Sequence, residues 1–177
     1  MLANARMLTR YNAWSNRLMY DAVAALPAGE AVKERKSLFK NMVHTLNHNY
    51  VIDAIWRAHL EGHEHGYAAR NTVDYPPLAE LREKQQAMDR WFITWGEAQT
   101  EASLGEKMSF TLIGGNAGTM TRFEILQHVS LTPAITEVLC ARCSSKCRRG
   151  RRPWTCRYFC AKCRRHNCCR PATVLIS

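Results

Sequence analysis

The eight cysteines of this chain all lie between Cys140 and Cys169, and the first 139 residues contain none. The charge divides at nearly the same point. Residues 1–137 hold 14 Lys and Arg against 15 Asp and Glu, whereas residues 138–177 hold 11 Lys and Arg and no acid. The net charge of +10 therefore arises entirely in the C-terminal segment. Two unrelated compositions meet near Glu137, and only the first can build a sizeable hydrophobic core.

The first 137 residues are rich in Leu, Ala, Met and aromatic side chains, and predict one domain to which the rest is an appendage. No run of 18 apolar residues is present, which excludes a membrane-spanning helix. The N-terminus lacks the apolar region of a secretory signal, so a cytoplasmic protein is expected. Because the basic charge is confined to the tail, we expect neither a membrane nor a nucleic-acid partner for the body.

The spacing of apolar residues predicts four helices. The first covers about residues 3–26, and the second covers about residues 37–60, with Ser37 as a favourable N-cap. The third opens at Pro77 and the fourth near Thr121. The apolar positions that mark them include Leu8, Tyr11, Trp14, Leu18 and Met19; Leu38, Met42, Leu46, Ile52 and Trp56; Leu78, Leu81, Met88, Trp91 and Phe92; and Phe123, Ile125, Leu126 and Val129.

A strand-like alternation over Met108–Ile113, followed by the turn residues GGNAG, predicts a hairpin between the third and fourth helices. The predicted fold class is therefore all-α, an antiparallel four-helix bundle with a short β-hairpin before the fourth helix. Past Val129 the helical pattern stops after about three turns, which is short for a bundle. We predict a bundle over residues 1–130 and an irregular or disordered tail over residues 131–177.

Histidines on the second helix are the candidate metal ligands. His44 and His48 lie four residues apart, which places them on one face of a helix. Imidazole is the commonest protein ligand for Zn²⁺ or Ni²⁺. The alternative is that these histidines only pack or hydrogen-bond at the bundle surface. His128 on the fourth helix has the same two interpretations, whereas His63 and His65 are expected to be solvated in a loop.

Three segments carry a resemblance to a known family: YNAWSNRLMYDAVAALP (11–27), MVHTLNHNYVIDAIW (42–56) and RFEILQHV (122–129). They resemble the DinB/YfiT-like proteins over roughly residues 1–130. The resemblance implies a four-helix bundle, often dimeric, with a divalent metal held by three histidines. It also implies a metal-dependent thiol transferase or hydrolase, acting on a small-molecule or thiol substrate. His48 matches the first of the three family ligands.

The other two family ligands form a His-x3-His motif on the fourth helix, normally followed by Arg-Gly. This chain departs from that pattern, because the corresponding segment, Leu131–Val138, reads LTPAITEV and contains no histidine. With one imidazole in place of three, we expect weak or absent metal binding and no activity for this chain.

The genetic code suggests how the motif was lost. One permitted codon choice for Leu131–Val138 is CTC ACA CCA GCT ATC ACC GAG GTN. When it is read from its third base, it encodes His-Thr-Ser-Tyr-His-Arg-Gly, the missing motif. Five bases separate that motif from the codon of Val129, one fewer than the six that would put its first histidine four residues beyond His128. We therefore hypothesise that one base was lost near codon 130, and that the remaining residues are an out-of-frame translation.

The alternative is that the tail, residues 131–177, is translated in the correct frame and forms a functional module. Cys140, Cys143 and Cys147, followed by further cysteines and His166, supply enough ligands for one or two Zn²⁺ ions. Interspersed arginines would allow such a zinc module to bind nucleic acid. The irregular cysteine spacing and the shortage of apolar residues argue against this interpretation. A second alternative is a non-enzymatic helical bundle that serves in protein interaction or stress response.

The nucleotide sequence around codon 130 tests the frameshift hypothesis. We expect codons 131–138, read in the shifted frame, to spell His-x3-His-Arg-Gly. Codons that cannot spell this motif in another frame would refute the hypothesis.

Overall fold

Five helices and one β-hairpin are found in residues 1–35 and 39–131, the part of the chain that the computed structural model describes. The predicted mainly helical fold, with a short hairpin before the last helix, is confirmed. The sequence pattern did not indicate the five-residue helix α4. In chain order the elements are α1 (Leu2–Ala24), α2 (Met42–Glu61), α3 (Leu78–Glu97), α4 (Glu101–Gly105), β1 (Lys107–Thr111), β2 (Ala117–Thr121) and α5 (Arg122–Ser130).

Local side-chain chemistry sets the ends of the helices. The side-chain oxygen of Asn41 accepts a hydrogen bond from the backbone N–H of His44 (2.8 Å), so α2 begins at Met42. Its predicted N-cap, Ser37, lies outside the described residues. Gly62 ends α2 at a φ of 77°, a left-handed conformation that favours glycine. At α5, Thr121 and Glu124 cap each other's backbone N–H groups in a capping box.

The first and third helices run antiparallel. Arg10 near the start of α1 forms an ion pair with Glu97 at the end of α3 (3.0 Å). Further along α1, the side-chain amide of Asn16 donates to Asp89 of α3 (2.8 Å). Residue numbers therefore rise along one helix as they fall along its neighbour.

The second and third helices run in the same direction, whereas the sequence pattern predicts an antiparallel bundle. Asp53 of α2 accepts from Gln85 of α3 (2.9 Å), and one turn later Arg57 lies over the ring of Trp91 at 4.9 Å. Residues 62–77 make this possible, because they return along α2 to its N-terminal end before α3 begins. We call residues 62–77 the return loop.

The hairpin and the start of α5 lie at the end of the bundle where α1 begins. The amino group of Met1 pairs with Glu101 of α4 (3.2 Å), and Arg122 pairs with Glu106 (3.1 Å). Phe110 of β1 lies 5.4 Å from His59 in the last turn of α2. Helix α5 therefore starts beside the end of α2 and runs back antiparallel to it.

Packing between the helices places α1 and α2 diagonally across the bundle, since each packs mainly against α3 and α5. One core cluster lies towards the hairpin end and is built around Trp56, Phe92 and Leu104. The residues of this core cluster are Ala5, Trp56, Leu60, Met88, Phe92, Leu104, Phe110, Ile125, Leu126 and Val129.

Helix α1 buries as many polar residues as hydrophobic ones. Of the apolar positions that predicted this helix, Tyr11, Trp14 and Leu18 are exposed, while Met19 is buried. The face turned towards the bundle includes Asn16 and Tyr20, which meet polar side chains of α3. The buried residues of α1 are Ala5, Thr9, Asn12, Ser15, Asn16, Met19, Tyr20 and Val23.

The chain divides into two units, Met1–Thr132 and Pro133–Ser177, and the second lies outside the described residues. The predicted irregular tail and its alternative, a zinc module, also fall outside them, apart from Leu131. Within residues 1–35 and 39–131, no helix is both long and apolar enough to cross a membrane.

The close contact between α1 and α3 at Gly96 yields a test of this packing. A Cβ atom on Gly96 would lie 2.9 Å from the Cγ2 methyl of Thr9, which is buried. We expect Gly96→Ala to lower the free energy of unfolding by about 1–3 kcal/mol. This cost outweighs the roughly 0.5–1 kcal/mol that Ala gains over Gly in a helix. Urea denaturation measures the change.

The matched variant removes the methyl group that would clash. Thr9→Ser keeps the hydroxyl, which donates to the backbone oxygen of Arg6 (3.0 Å), and deletes Cγ2. We expect the double variant, Thr9→Ser with Gly96→Ala, to lose less stability than the sum of the two single variants. Additive losses would contradict the proposed contact.

Candidate functional site

His48 lies in the second turn of α2, and the return loop fixes the orientation of its ring. Its Nδ1 atom is 3.1 Å from the backbone oxygen of Arg70, and its ring stacks on Phe39 with 4.4 Å between centroids. Because a carbonyl oxygen only accepts, Nδ1 carries the proton in this hydrogen bond. The lone pair then resides on Nε2. This is the tautomer and the outer contact typical of metal-binding histidines.

His44, one turn earlier, contacts the return loop in a different way. Its Nε2 atom lies 3.1 Å from the backbone oxygen of Thr72, and its ring stacks on Tyr75 at 4.9 Å. Among the described residues, its buried Nδ1 atom has no hydrogen-bond partner. Since Nε2 donates to a carbonyl and Nδ1 is enclosed, neither nitrogen is open to a metal in this arrangement. In the described structure His44 anchors the return loop.

Two asparagines complete the attachment of the return loop to α2. The amide of Asn47 donates to the hydroxyl of Thr72 (2.8 Å), and the amide of Asn41 donates to the hydroxyl of Tyr75 (2.6 Å). Sequence reasoning did not identify these residues. Their signal was present, because Asn41, His44, Asn47 and His48 occur at helical spacing and form a polar edge at the start of α2.

His128 is exposed on α5 and does not join His48. Its ring lies 5.2 Å from the ring of Trp56, which follows His48 by eight residues on α2. Eight residues correspond to a rise of about 12 Å along a helix. In residues 1–35 and 39–131, no group of three or more His, Cys, Asp or Glu side chains could hold a metal ion. The three candidate ligands are therefore not brought together.

Comparison with known proteins agrees with this bundle. A model described as the DinB family matches residues 1–130. The chain belongs to the DinB family. No curated protein and no solved structure matches it. DinB-family proteins generally bind metal.

The described residues do not supply the ligand set that the DinB resemblance implies. His48 has the tautomer of a metal ligand, yet His44 is committed to the return loop. At positions 131–138, where the family motif would provide two more imidazoles, the sequence contains no histidine. A single imidazole competes poorly with water for a divalent ion. The residues present therefore do not fit a three-histidine metal site.

A second group of histidines surrounds the C-terminal end of α2 in this DinB bundle. His59 is half-buried between Trp56 and Phe110, and its pKa is lowered by burial and then by the neighbouring charge of His65. His63 is exposed, and its pKa is raised by hydrogen bonds to the Glu64 backbone and to the side chain of Glu61. These contacts give the group a structural role.

The DinB bundle also contains a buried polar layer. Asp53 accepts a hydrogen bond from the side-chain amide of Gln85 (2.9 Å). Gln85 also donates to Asp89 (3.2 Å), which in turn accepts from Asn16 (2.8 Å). Polar residues at buried helix positions could have indicated this layer in the sequence. That these residues of three helices meet depends on the topology of the bundle.

Proposed function

We propose that this chain is a DinB-family protein whose metal centre is reduced to one ligand, His48. In this proposal its intact relatives hold Zn²⁺ or Ni²⁺ with three histidines and act as metal-dependent thiol transferases or hydrolases. The chain itself binds metal weakly or not at all and lacks that activity. The observation that carries the proposal is the hydrogen bond from His48 to the backbone oxygen of Arg70, which orients one candidate ligand. Residues 1–35 and 39–131 contain no group of three or more side chains that could hold a metal ion.

The direction of α5 supports the hypothesis that the loss of one base near codon 130 removed the family motif. Helix α5 runs antiparallel to α2, and His128 lies at the level of Trp56. Two further helical turns after His128 would rise about 12 Å, the same distance that separates Trp56 from His48 along α2. In the restored frame, the histidines four and eight residues beyond His128 would therefore approach the level of His48. The bundle geometry is consistent with a site completed by that motif.

Metal analysis tests this proposal on two proteins, the present chain and a version with the frame restored. We expect the purified chain to retain far less than one divalent ion per molecule, and His48→Ala to leave that content unchanged. We expect the frame-restored version to bind close to one ion, and His48→Ala to abolish this binding. Elemental analysis after dialysis gives both values.

His63→Ala is the matched control, because His63 is exposed and lies on the return loop away from His48. It should not change the metal content of the frame-restored version. Near-stoichiometric metal in the present chain, lost on His48→Ala, would contradict the proposed loss of the site. A frame-restored version without metal would favour the non-enzymatic alternative.

That alternative, a bundle that serves in protein interaction, has one observation in its favour. Helix α1 exposes an apolar stripe formed by Met7, Tyr11, Trp14 and Leu18, whose exposed fractions are 59%, 47%, 49% and 45%. The rings of Tyr11 and Trp14 lie 5.7 Å apart. Large apolar residues in a continuous exposed row mark an interaction surface. The stripe spans about 16 Å along the helix.

We propose that a second copy of this chain covers the stripe. Two copies of α1 packed antiparallel about a two-fold axis would bring Met7 of each opposite Leu18 of the other, and Tyr11 opposite Trp14. Such an isologous contact pairs one self-complementary surface with itself. A homodimer of this kind is compatible with either function, because the stripe lies on α1 and the candidate ligand on α2.

Sedimentation equilibrium of the full chain tests the dimer. We expect a dimer at micromolar concentration and a monomer for Trp14→Glu, since the substitution buries a charge at the centre of the interface. Val73→Glu is the control, because Val73 is an exposed apolar residue of the return loop outside the stripe. A monomeric parent chain, or dissociation by Val73→Glu as well, would contradict the assignment of the surface.

The proposed setting is the cytoplasm, with a small-molecule or thiol substrate for the intact relatives. It rests on the first 139 residues, which contain no cysteine and therefore no disulfide framework.

A further inference from the structure

Two carboxyl groups are buried where α1, α2 and α3 meet. Asp53 of α2 and Asp89 of α3 are 4% and 7% exposed. The side-chain amide of Gln85 bridges them, at 2.9 Å from Oδ2 of Asp53 and 3.2 Å from Oδ1 of Asp89. Asn16 of α1 donates to the same oxygen of Asp89 (2.8 Å). We call Asp53 and Asp89 the core carboxyl pair.

No cation neutralises the core carboxyl pair among the described residues, since neither carboxylate forms an ion pair there. Arg90 lowers the pKa of Asp89, and its effect is smaller than that of the hydrogen bonds from Asn16 and Gln85. Arg82, the other arginine on this part of α3, is paired with Asp21. The amides of Gln85 and Asn16 supply hydrogen bonds but no charge.

The other groups that face the pair add no positive charge. Helix α1 contributes Tyr20, whose hydroxyl is buried without a hydrogen-bond partner among the described residues. Helix α2 contributes Tyr50, which acts electrostatically on Tyr20. The buried residues of the described part of α5 are Ile125, Leu126, Val129 and Ser130, none of which ionises.

Two unneutralised carboxylates in a core are strongly unfavourable, because burial favours the uncharged form and each repels the other. We propose that Asp53 and Asp89 together retain one proton at neutral pH, and that this proton holds α1 and α2 against α3. The core carboxyl pair then makes the stability of the bundle depend on protonation. Release of the proton places a second negative charge in the core and weakens the packing of the three helices.

The electrostatics agree with this geometry. Burial, together with the charge of Asp89, raises the pKa of Asp53 from 3.8 to about 8, against the opposing hydrogen bond from Gln85. Burial also raises the pKa of Asp89. The pKa of Tyr20 is raised by burial and then by the charges of Asp89 and Asp53, so its hydroxyl remains protonated and cannot add a charge.

The sign of the pH dependence follows from these directions. The folded protein retains a proton that the unfolded chain releases near pH 4, the ordinary range of an Asp side chain. The stabilisation of the folded state by this proton is therefore complete below about pH 4. It decreases as the pH rises and is absent above about pH 8. Over this window one proton changes the unfolding equilibrium constant by about tenfold per pH unit.

Urea denaturation of the full chain between pH 5 and pH 9 tests whether the core carboxyl pair retains a proton. We expect the equilibrium constant for unfolding to rise about tenfold per pH unit and to level off above pH 8. Asp53→Asn replaces the protonated acid by a neutral side chain of the same shape. It should flatten the slope below pH 8 and make the variant more stable than the parent at pH 9.

The control is Asp74→Asn, because Asp74 is an exposed acid on the return loop. It should keep the slope of the parent chain. The same slope in the parent and in Asp53→Asn would overturn the proposal.

A direct measurement covers the case in which Asp53→Asn fails to fold. The ¹³C carboxyl resonances of Asp53 and Asp89 in the parent chain should show one protonated group at pH 6. Asp89→Asn serves as a second variant with the same expected loss of slope. Two ionised carboxylates at pH 6 would refute the proposal that the pair retains one proton.

Discussion

The attachment of the return loop to α2 is the constraint on which the rest of the structure depends. Residues 62–77 run back along α2, held by Asn41, His44, Asn47 and His48 through hydrogen bonds to Arg70, Thr72 and Tyr75. This return places the start of α3 beside the start of α2, so the two helices run in the same direction. A short connection would have made them antiparallel neighbours and would have brought different residues of α3 opposite Asp53.

The same constraint links the candidate ligand to the core. His48 owes its tautomer to a carbonyl oxygen of the return loop, and Asp53 owes its contact with Gln85 to the helix register that the loop sets. On the opposite side, α1 must turn polar residues inward to meet Asp89, which leaves its apolar stripe in solvent. The polar layer and the exposed stripe are therefore two consequences of one packing arrangement.

Much of the fold could be predicted because helical periodicity and capping are local. Apolar spacing located the long helices, and the turn residues GGNAG located the hairpin. The inward face of α1 could not be predicted, because apolar residues lie on both of its faces and Tyr11, Trp14 and Leu18 are on the exposed one. Helix periodicity shows that a stripe exists, but which surface covers it depends on distant residues such as Gln85 and Asp89.

The sequence alone determined the family, the helical class and the shortage of ligands, since these depend on residue identity and local spacing. His48 is present and positions 131–138 lack histidine, whatever the fold. The tertiary structure alone decided that His44 anchors a loop, that α2 and α3 run in parallel, and that two carboxyl groups share a buried amide. The physical reason is that the contacts of His44 with Thr72 and of Asp53 with Gln85 join residues 28 and 32 positions apart, where spacing along the chain carries no information about proximity.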